Sequence, residues 1–339
     1  MEQPLLQVSH VKMHFPGKEH FFSFSAPKEP PVRALDGVSF SLKKGETLGI
    51  VGESGCGKST LGRTILRLYE PTEGRIVLEG KDITHLKGEA LRKTRTSYQM
   101  IFQDPYASLN PRMNVFELLS EPLVTHGLAR GDLTRRVAEL MEQVGLSRRF
   151  IQKYPHEFSG GQRQRIAIAR AIAIKPKLVI CDEPVSALDV SIQAQILNLL
   201  TDLQEELGLS YIFIAHDMGA VRHMAHRIGV MYLGRIVEIG ETEEIFSNPR
   251  HPYTQALLSA VPLADPDKER ARKRIILSGD LPSPSMVRKG CSFESRCQVR
   301  LSQCTQDDPY LESSKHTPER LVACLRETHG SVPTPGPQN

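Results

Sequence analysis

No stretch of this 339-residue chain approaches the ~18 consecutive apolar residues needed to span a bilayer. The most apolar helix-like run, Ile166 to Ile174, is interrupted by Arg170. Met1 to Gln7 lacks a basic segment followed by an apolar one, so no export signal is expected. The chain is therefore expected in the cytosol, reaching a membrane only by docking to another protein. Charge of one sign is also scarce: 43 Lys and Arg against 39 Asp and Glu leave a net +4. Without a basic block, no nucleic-acid partner is expected. Cysteine is sparse over most of the length, with Cys56 and Cys181 alone in the first 290 residues. Cys291, Cys297, Cys304 and Cys324 then crowd a short C-terminal span. In a reducing compartment such a group favours metal ligation over disulfides. There is no internal repeat, so one unit and not two is expected.

What is present fits an ordinary globular protein. Hydrophobic residues make up 40% and charged residues 24%, enough for a sizeable core, and the length predicts one large domain with an appendage. Residues 5–14, 35–51, 74–80 and 97–103 read as strands. A proline-bearing loop from Gly17 to Arg33 carries Phe21, Phe22 and Phe24, read as packing on the parent domain. Leu61, Ile65 and Leu68 have helical spacing. From Asp104 to Glu157 the pattern is helical, clearest at Val115–Gly127 and Thr134–Gly145. Helix 162–174, strand 177–182, helix 191–207 and strand 210–215 then alternate, the signature of a parallel sheet covered by helices. Beyond Pro249 the composition turns Pro-rich and basic, and Gly330–Asn339 reads as a disordered tail.

Three motifs carry chemistry. Gly52-Glu-Ser-Gly-Cys-Gly57-Lys58-Ser59 fills every fixed position of the phosphate-binding loop, between a strand and a helix. Its glycines turn backbone N–H groups inward around phosphates; Lys58 reaches the β/γ-phosphates and Ser59 ligates Mg²⁺. Leu178-Val-Ile-Cys-Asp182-Glu183 is an apolar strand ending in two acids. A buried parallel strand delivers its C-terminal residue to the ligand crevice, so Asp182 is placed to hold Mg²⁺ and Glu183 to polarise water as general base. Cys181 reads as an inert core residue. Phe158-Ser159-Gly160-Gly161-Gln162 opens an apolar-periodic helix, either a second anion site or simply a capped helix.

Ser159-Gly-Gly-Gln162-Arg-Gln-Arg165 resembles the signature of ABC ATPases. Gln103 after a strand, Asp182-Glu183-Pro184, Ser186-Ala-Leu-Asp189 and His216-Asp217 follow the same order, so the resemblance covers roughly residues 5–250. It implies an α/β P-loop fold: a mixed sheet with an N-terminal antiparallel part and an inserted helical subdomain. It also implies a head-to-tail dimer sandwiching two ATP molecules, each bound by one subunit's phosphate loop and the other's signature. The implied nucleotide set is Phe15 (with His14 as fallback) stacking on adenine, Gly52, Ser54, Gly55, Cys56, Gly57, Lys58, Ser59, Thr60, Gln103 and Asp182. Ser159, Gly160, Gly161, Gln162 and Asp189 would serve the facing subunit. Ser59, Gln103 and Asp182 would hold Mg²⁺, Gln103 would relay to the membrane subunit, and His216 would stabilise the γ-phosphate and attacking water beside the catalytic Glu183.

Within that class, Phe102-Gln-Asp-Pro-Tyr-Ala-Ser-Leu-Asn-Pro111, Asn248-Pro-Arg-His-Pro-Tyr-Thr-Gln-Ala-Leu-Leu258, Gly279-Asp-Leu-Pro-Ser-Pro284 and Cys291-x-Phe293-x-x-Arg296-Cys297 resemble the dipeptide/oligopeptide importer ATPases. Importers of nickel or glutathione share much of the pattern. The resemblance implies a second ATPase subunit, a paralogue, with two integral-membrane permeases and, indirectly, an extracytoplasmic binding protein. The alternatives are a soluble ABC ATPase acting on DNA or ribosomes and a cassette used as a switch. The expected domains are an ATPase domain at 1–257 with residues 104–158 inserted, a cysteine-bearing extension at 258–326 and a tail at 327–339. Spacings of C-x5-C, C-x6-C and C-x19-C suit a cubane cluster or tetrahedral zinc. Similar tails in the importer family favour a structural [4Fe-4S] cluster on Cys291, Cys297, Cys304 and Cys324 over zinc or over four reduced cysteines without metal.

Overall fold

The computed structural model describes residues 3–17, 30–262, 267, 270, 274–279, 281–286, 289–314 and 317–328. Phe21, Phe22, Phe24 and residues 329–339 of the expected tail lie outside the described residues. The remaining tail positions, 327 and 328, close a short helix, Leu325–Thr328.

Twelve strands form two sheets among the described residues. The smaller has the order β2-β1-β4-β5, from β1 (Leu6–Phe15), β2 (Val32–Leu42), β4 (Glu73–Leu78) and β5 (Lys81–Asp82). All its pairings are antiparallel. The larger has the order β11-β12-β10-β9-β3-β8-β7-β6. Its members are β3 (Thr47–Val51), β6 (Tyr98–Ile101), β7 (Leu178–Asp182), β8 (Ser210–Ile214), β9 (Arg227–Tyr232), β10 (Arg235–Glu241), β11 (Glu312–Ser314) and β12 (Thr317–Val322). Strands β6, β7, β8, β3 and β9 run parallel, whereas β10, β12 and β11 add on antiparallel. Every residue of β3, β7 and β8 is buried. Covered on both faces, these strands must be apolar throughout, which is why Leu178-Val-Ile-Cys and Tyr211-Ile-Phe-Ile carry no alternation.

This order decides where the chemistry sits. Gln103 follows β6, Asp182 ends β7, His216 follows β8, and the phosphate loop follows β3. These four strands are neighbours with the same direction, so their C-terminal ends meet at one edge of the sheet.

The helical insertion packs against the helix Gly160–Ile172. Helix Val115–Thr125 starts with a capping box between Asn114 and Glu117, and Leu133–Gln143 starts on the Asp132 side chain. Each cap contributes about 1 kcal/mol. Leu118, Leu119, Leu123, Val137, Leu140 and Met141 are buried and join the core beneath the helix Gly160–Ile172. Burying one such side chain contributes about 1.5–3 kcal/mol, so packing exceeds capping here.

The C-terminal extension is not a separate body. Strand β12 pairs with β10, Glu238 opposite Val322 and Ile239 opposite Leu321. Arg320 and Glu238, both almost wholly shielded from solvent, form an ion pair across that seam; Arg235 of β10 pairs with Asp308. Leaving either charge of a buried pair alone costs about 3–5 kcal/mol, so the seam is fixed in register even where its net stabilisation is small. Phe293 is buried against Tyr232, His251 and Tyr253, with ring centroids 5.3, 5.6 and 5.5 Å away.

Candidate functional site

Glycine in the phosphate loop is dictated by space as well as conformation. Gly52, Gly55 and Gly57 have φ of 155°, 80° and 107°, a region that side chains rarely occupy. A Cβ on Gly57 would stand 2.3 Å from the Ala34 carbonyl oxygen, and one on Gly52 would stand 2.1 Å from that of Met231. The helix Lys58–Ile65 begins at Gly57 without any side-chain cap, which leaves its first N–H groups to a ligand. Lys58 is buried and donates from Nζ to the carbonyls of Gly52 (2.7 Å) and Glu53 (3.1 Å).

Around this loop the strand ends supply the remaining groups. Ser59 Oγ donates to Asp182 Oδ1 at 2.7 Å. Burial pushes the Asp182 carboxyl above its ordinary value, opposed by the Ser59 hydrogen bond and the nearby Arg63 charge. A buried carboxylate beside a hydroxyl is a hard-oxygen pair of the kind Mg²⁺ prefers, so these residues fit that ion. Gln103 Nε2 donates to Glu183 Oε2 at 2.9 Å, and His216 Nδ1 lies 3.3 Å from the same oxygen. Glu183 has φ of 49°, a strained conformation for a side chain of its size. Its N–H is tied to the Ile214 carbonyl at 2.9 Å and its carbonyl accepts from Ser186 Oγ at 3.1 Å. The surroundings thus hold the strained residue, aiming its carboxylate into the cleft.

One cleft of about 600 Å³ brings together Phe15, Ser54, Gly55, Cys56, Gly57, Lys58, Ser59, Thr60, Gln103, Glu183 and His216, a volume within the range of small-ligand sites. Gly52 and Asp182 adjoin it through Lys58 and Ser59. Phe15 lines the cleft, edge-on to Tyr69 at 5.4 Å; His14 is turned to Asp36, 3.4 Å away. Burial pushes the thiols of Cys56 and Cys181 up, consistent with packing roles. Sequence reasoning did not single out Arg33, Ala34, Leu233, Gly234 or Pro284, which also line the cleft. Leu-Gly at 233–234 is a turn between β9 and β10, a signal of shape but not of chemistry. Pro284 comes from the extension, some 230 positions away in sequence.

Ser159, Gly160, Gly161, Gln162 and Asp189 are not among the described residues that line this cleft. Ser159 caps its helix reciprocally with Gln162: Gln162 N–H donates to Ser159 Oγ at 3.3 Å and Ser159 N–H to Gln162 Oε1 at 3.0 Å. A Cβ on Gly161 would stand 2.6 Å from Ile192, so that glycine lets this helix approach the helix Val190–Leu207, which starts at Asp189.

The expectation of an iron–sulfur cluster, with zinc as its alternative, on Cys291, Cys297, Cys304 and Cys324 is corrected. Among the described residues no group of three or more His, Cys, Asp or Glu could hold a metal ion, and none of the four cysteines forms a disulfide. Burial pushes Cys291 up to about 12 and Cys324 up to about 11, and raises Cys297, favouring protonated thiols. Cys291 and Cys297 pack on the main core, and Cys304 Sγ accepts from Leu301 N–H at 3.4 Å. The β12 pairing, the ion pairs and the Phe293 contacts anchor the extension without a metal.

Comparison with known proteins agrees with the geometry. Residues 35–186 match the family described as ABC transporter, and residues 237–304 match that described as oligopeptide/dipeptide transporter, C-terminal region. The oligopeptide transport ATP-binding protein AppF of Bacillus subtilis (strain 168) is 53% identical, over 95% of this chain and 97% of the relative. The dipeptide transport ATP-binding protein DppF of Escherichia coli (strain K12) is 52% identical, over 96% and 95%. Neither is named as an iron–sulfur protein. The solved ATP-binding cassette MJ0796, dimeric and bound to ADP and Pi, superposes with a TM-score of 0.61 at 30% identity, over 70% of this chain and 98% of that one. The chain belongs to the ABC transporter ATP-binding subunits of the oligopeptide and dipeptide transport family.

Proposed function

We propose that this chain binds MgATP in the cleft at the strand ends and hydrolyses it to drive uptake of dipeptides or oligopeptides through membrane partners. The reading rests above all on the convergence of Lys58, Ser59, Asp182, Gln103, Glu183 and His216 on one cleft. The phosphate-loop amides and Lys58 receive the phosphates, exchanging the ammonium's carbonyl contacts for phosphate oxygens. Ser59 and Asp182, with Gln103 nearby, would hold Mg²⁺, which would supply neutralisation of the nucleotide's phosphate charge. Glu183 accepts a proton from the attacking water, and His216 orients that water and the γ-phosphate. Phe15 stacks on the adenine.

The second glycine-fronted helix end, Ser159–Gln162, completes the nucleotide of a facing subunit, a paralogue arranged head to tail. Gln103 and the segment Asp104–Pro111 form the contact with a cytoplasmic helix of the permease. Among the described residues no helix is long and apolar enough to cross a membrane; likeness to the ATP-binding proteins of peptide transport supports a peripheral place at the inner face of the cell membrane. The ATPase domain spans residues 1–257, with 104–158 inserted, and the extension at 258–326 adds β12 to its sheet.

Reconstitution with two permease subunits and a peptide-loaded binding protein tests the reading. Peptide-stimulated ATP hydrolysis coupled to peptide entry is expected. Hydrolysis that ignores the permeases and moves no peptide would refute it.

A further inference from the structure

The extension touches the phosphate loop at a point that phosphate binding does not explain. Glu53, the second residue of the loop, turns its carboxylate to Arg296, whose guanidinium donates from Nη1 to Oε2 at 2.7 Å and from Nη2 to Oε1 at 3.1 Å. Arg296 is itself 8% exposed. Such a two-pronged contact fixes orientation as well as charge. The backbone of Glu53 is held too: its N–H donates to Tyr253 Oη at 2.9 Å, and its carbonyl accepts from Lys58 Nζ at 3.1 Å.

Arg296 has little freedom to leave. It ends a short 3-10 turn, Glu294–Arg296, directly after the buried Phe293. The Phe293 contacts with Tyr232 and Tyr253 therefore locate the guanidinium through the backbone.

Charge gives this contact a consequence. A carboxylate one residue after Gly52 lies beside the loop that must receive a polyphosphate. Without a counter-charge it would repel the incoming anion and compete for the Lys58 ammonium. We propose that Arg296 is a positioning residue for nucleotide binding: the docked extension clamps and neutralises Glu53, leaving Lys58 and the loop amides to the phosphates. The inference rests on the reading that this loop binds ATP.

ATP affinity of the full chain, measured by titration calorimetry, tests it alongside KM and kcat of the assembled transporter. Arg296→Met should raise the Kd for ATP by ~10-fold or more. KM should rise with it, whereas kcat at saturating ATP should stay within about twofold of the parent. Adding Glu53→Gln to Arg296→Met removes the uncompensated charge and should return the Kd to within about threefold of the parent. A staple that merely keeps the extension folded would show no such rescue. Should Arg296→Met fail to fold, Arg296→Lys carries the test: it keeps the charge without the fork, and ~3-fold weaker binding is expected.

Lys58→Ala serves as the control. If it loses ATP while the Arg296 variants bind like the parent, the clamp is refuted and the nucleotide site stands. Failed rescue by Glu53→Gln also refutes the clamp. If Lys58→Ala binds ATP like the parent, the nucleotide reading falls and the clamp with it.

Discussion

Two helices of this chain begin on glycine-bearing turns, and they are furnished in opposite ways. The helix Lys58–Ile65 starts without a side-chain cap, and a lysine, a serine, two acids, a glutamine and a histidine converge beside it. The helix Gly160–Ile172 starts with its own capping box and meets none of those groups in the cleft. An uncapped helix end ringed by charged and hydrogen-bonding side chains is built for a ligand. A self-capped end with exposed polar groups is stable alone and free to meet another surface. Under this account the first end binds the chain's own nucleotide and the second completes a neighbour's.

The largest effect that would break this contrast is at Glu183. Glu183→Gln should slow hydrolysis by ~10²–10⁴ while leaving ATP bound. The check is single-turnover hydrolysis of labelled ATP held by this subunit in the assembled transporter. Conversion at the parent rate would remove the carboxylate from its proposed role.

A smaller effect separates packing from chemistry at the second end. Gly161→Ala places a Cβ 2.6 Å from the Ile192 side chain, and should destabilise the chain by ~1–3 kcal/mol in urea titration. An unchanged midpoint would show that the two helices separate easily.

Smallest of all is the cap. Ser159→Ala should cost ~1 kcal/mol of stability through the lost Gln162 N–H contact, with ATP affinity of the isolated chain unchanged. A stability loss well beyond that would mean that Ser159 holds more than its own helix end.

Much of this site is legible in the sequence because its parts are local. Gly52–Ser59 lies between a strand and a helix, and Asp182 and His216 each follow an apolar run too short for a helix. Parallel pairing then brings those ends together without further instruction. The extension was harder to read. Thr317-Pro-Glu-Arg-Leu-Val contains proline and two charges, a composition that does not resemble a strand, yet it pairs with β10. Arg320 and Arg296 belong to a type that is almost never buried unless paired, and their partners, Glu238 and Glu53, lie far away in sequence. Only the folded chain pairs them. The cysteine spacing pointed to metal because spacing takes no account of an anchorage supplied by the rest of the molecule.

Titration calorimetry of ATP into the full-length chain, comparing the parent with Lys58→Ala and Ser159→Arg, tests the division of labour most directly. The account predicts ~10–100-fold weaker binding for Lys58→Ala, through loss of a charge-assisted phosphate contact. Ser159→Arg should stay within about twofold of the parent, because that residue serves a nucleotide held elsewhere. A loss for Ser159→Arg as large as that for Lys58→Ala would contradict it, since both helix ends would then bind the same nucleotide.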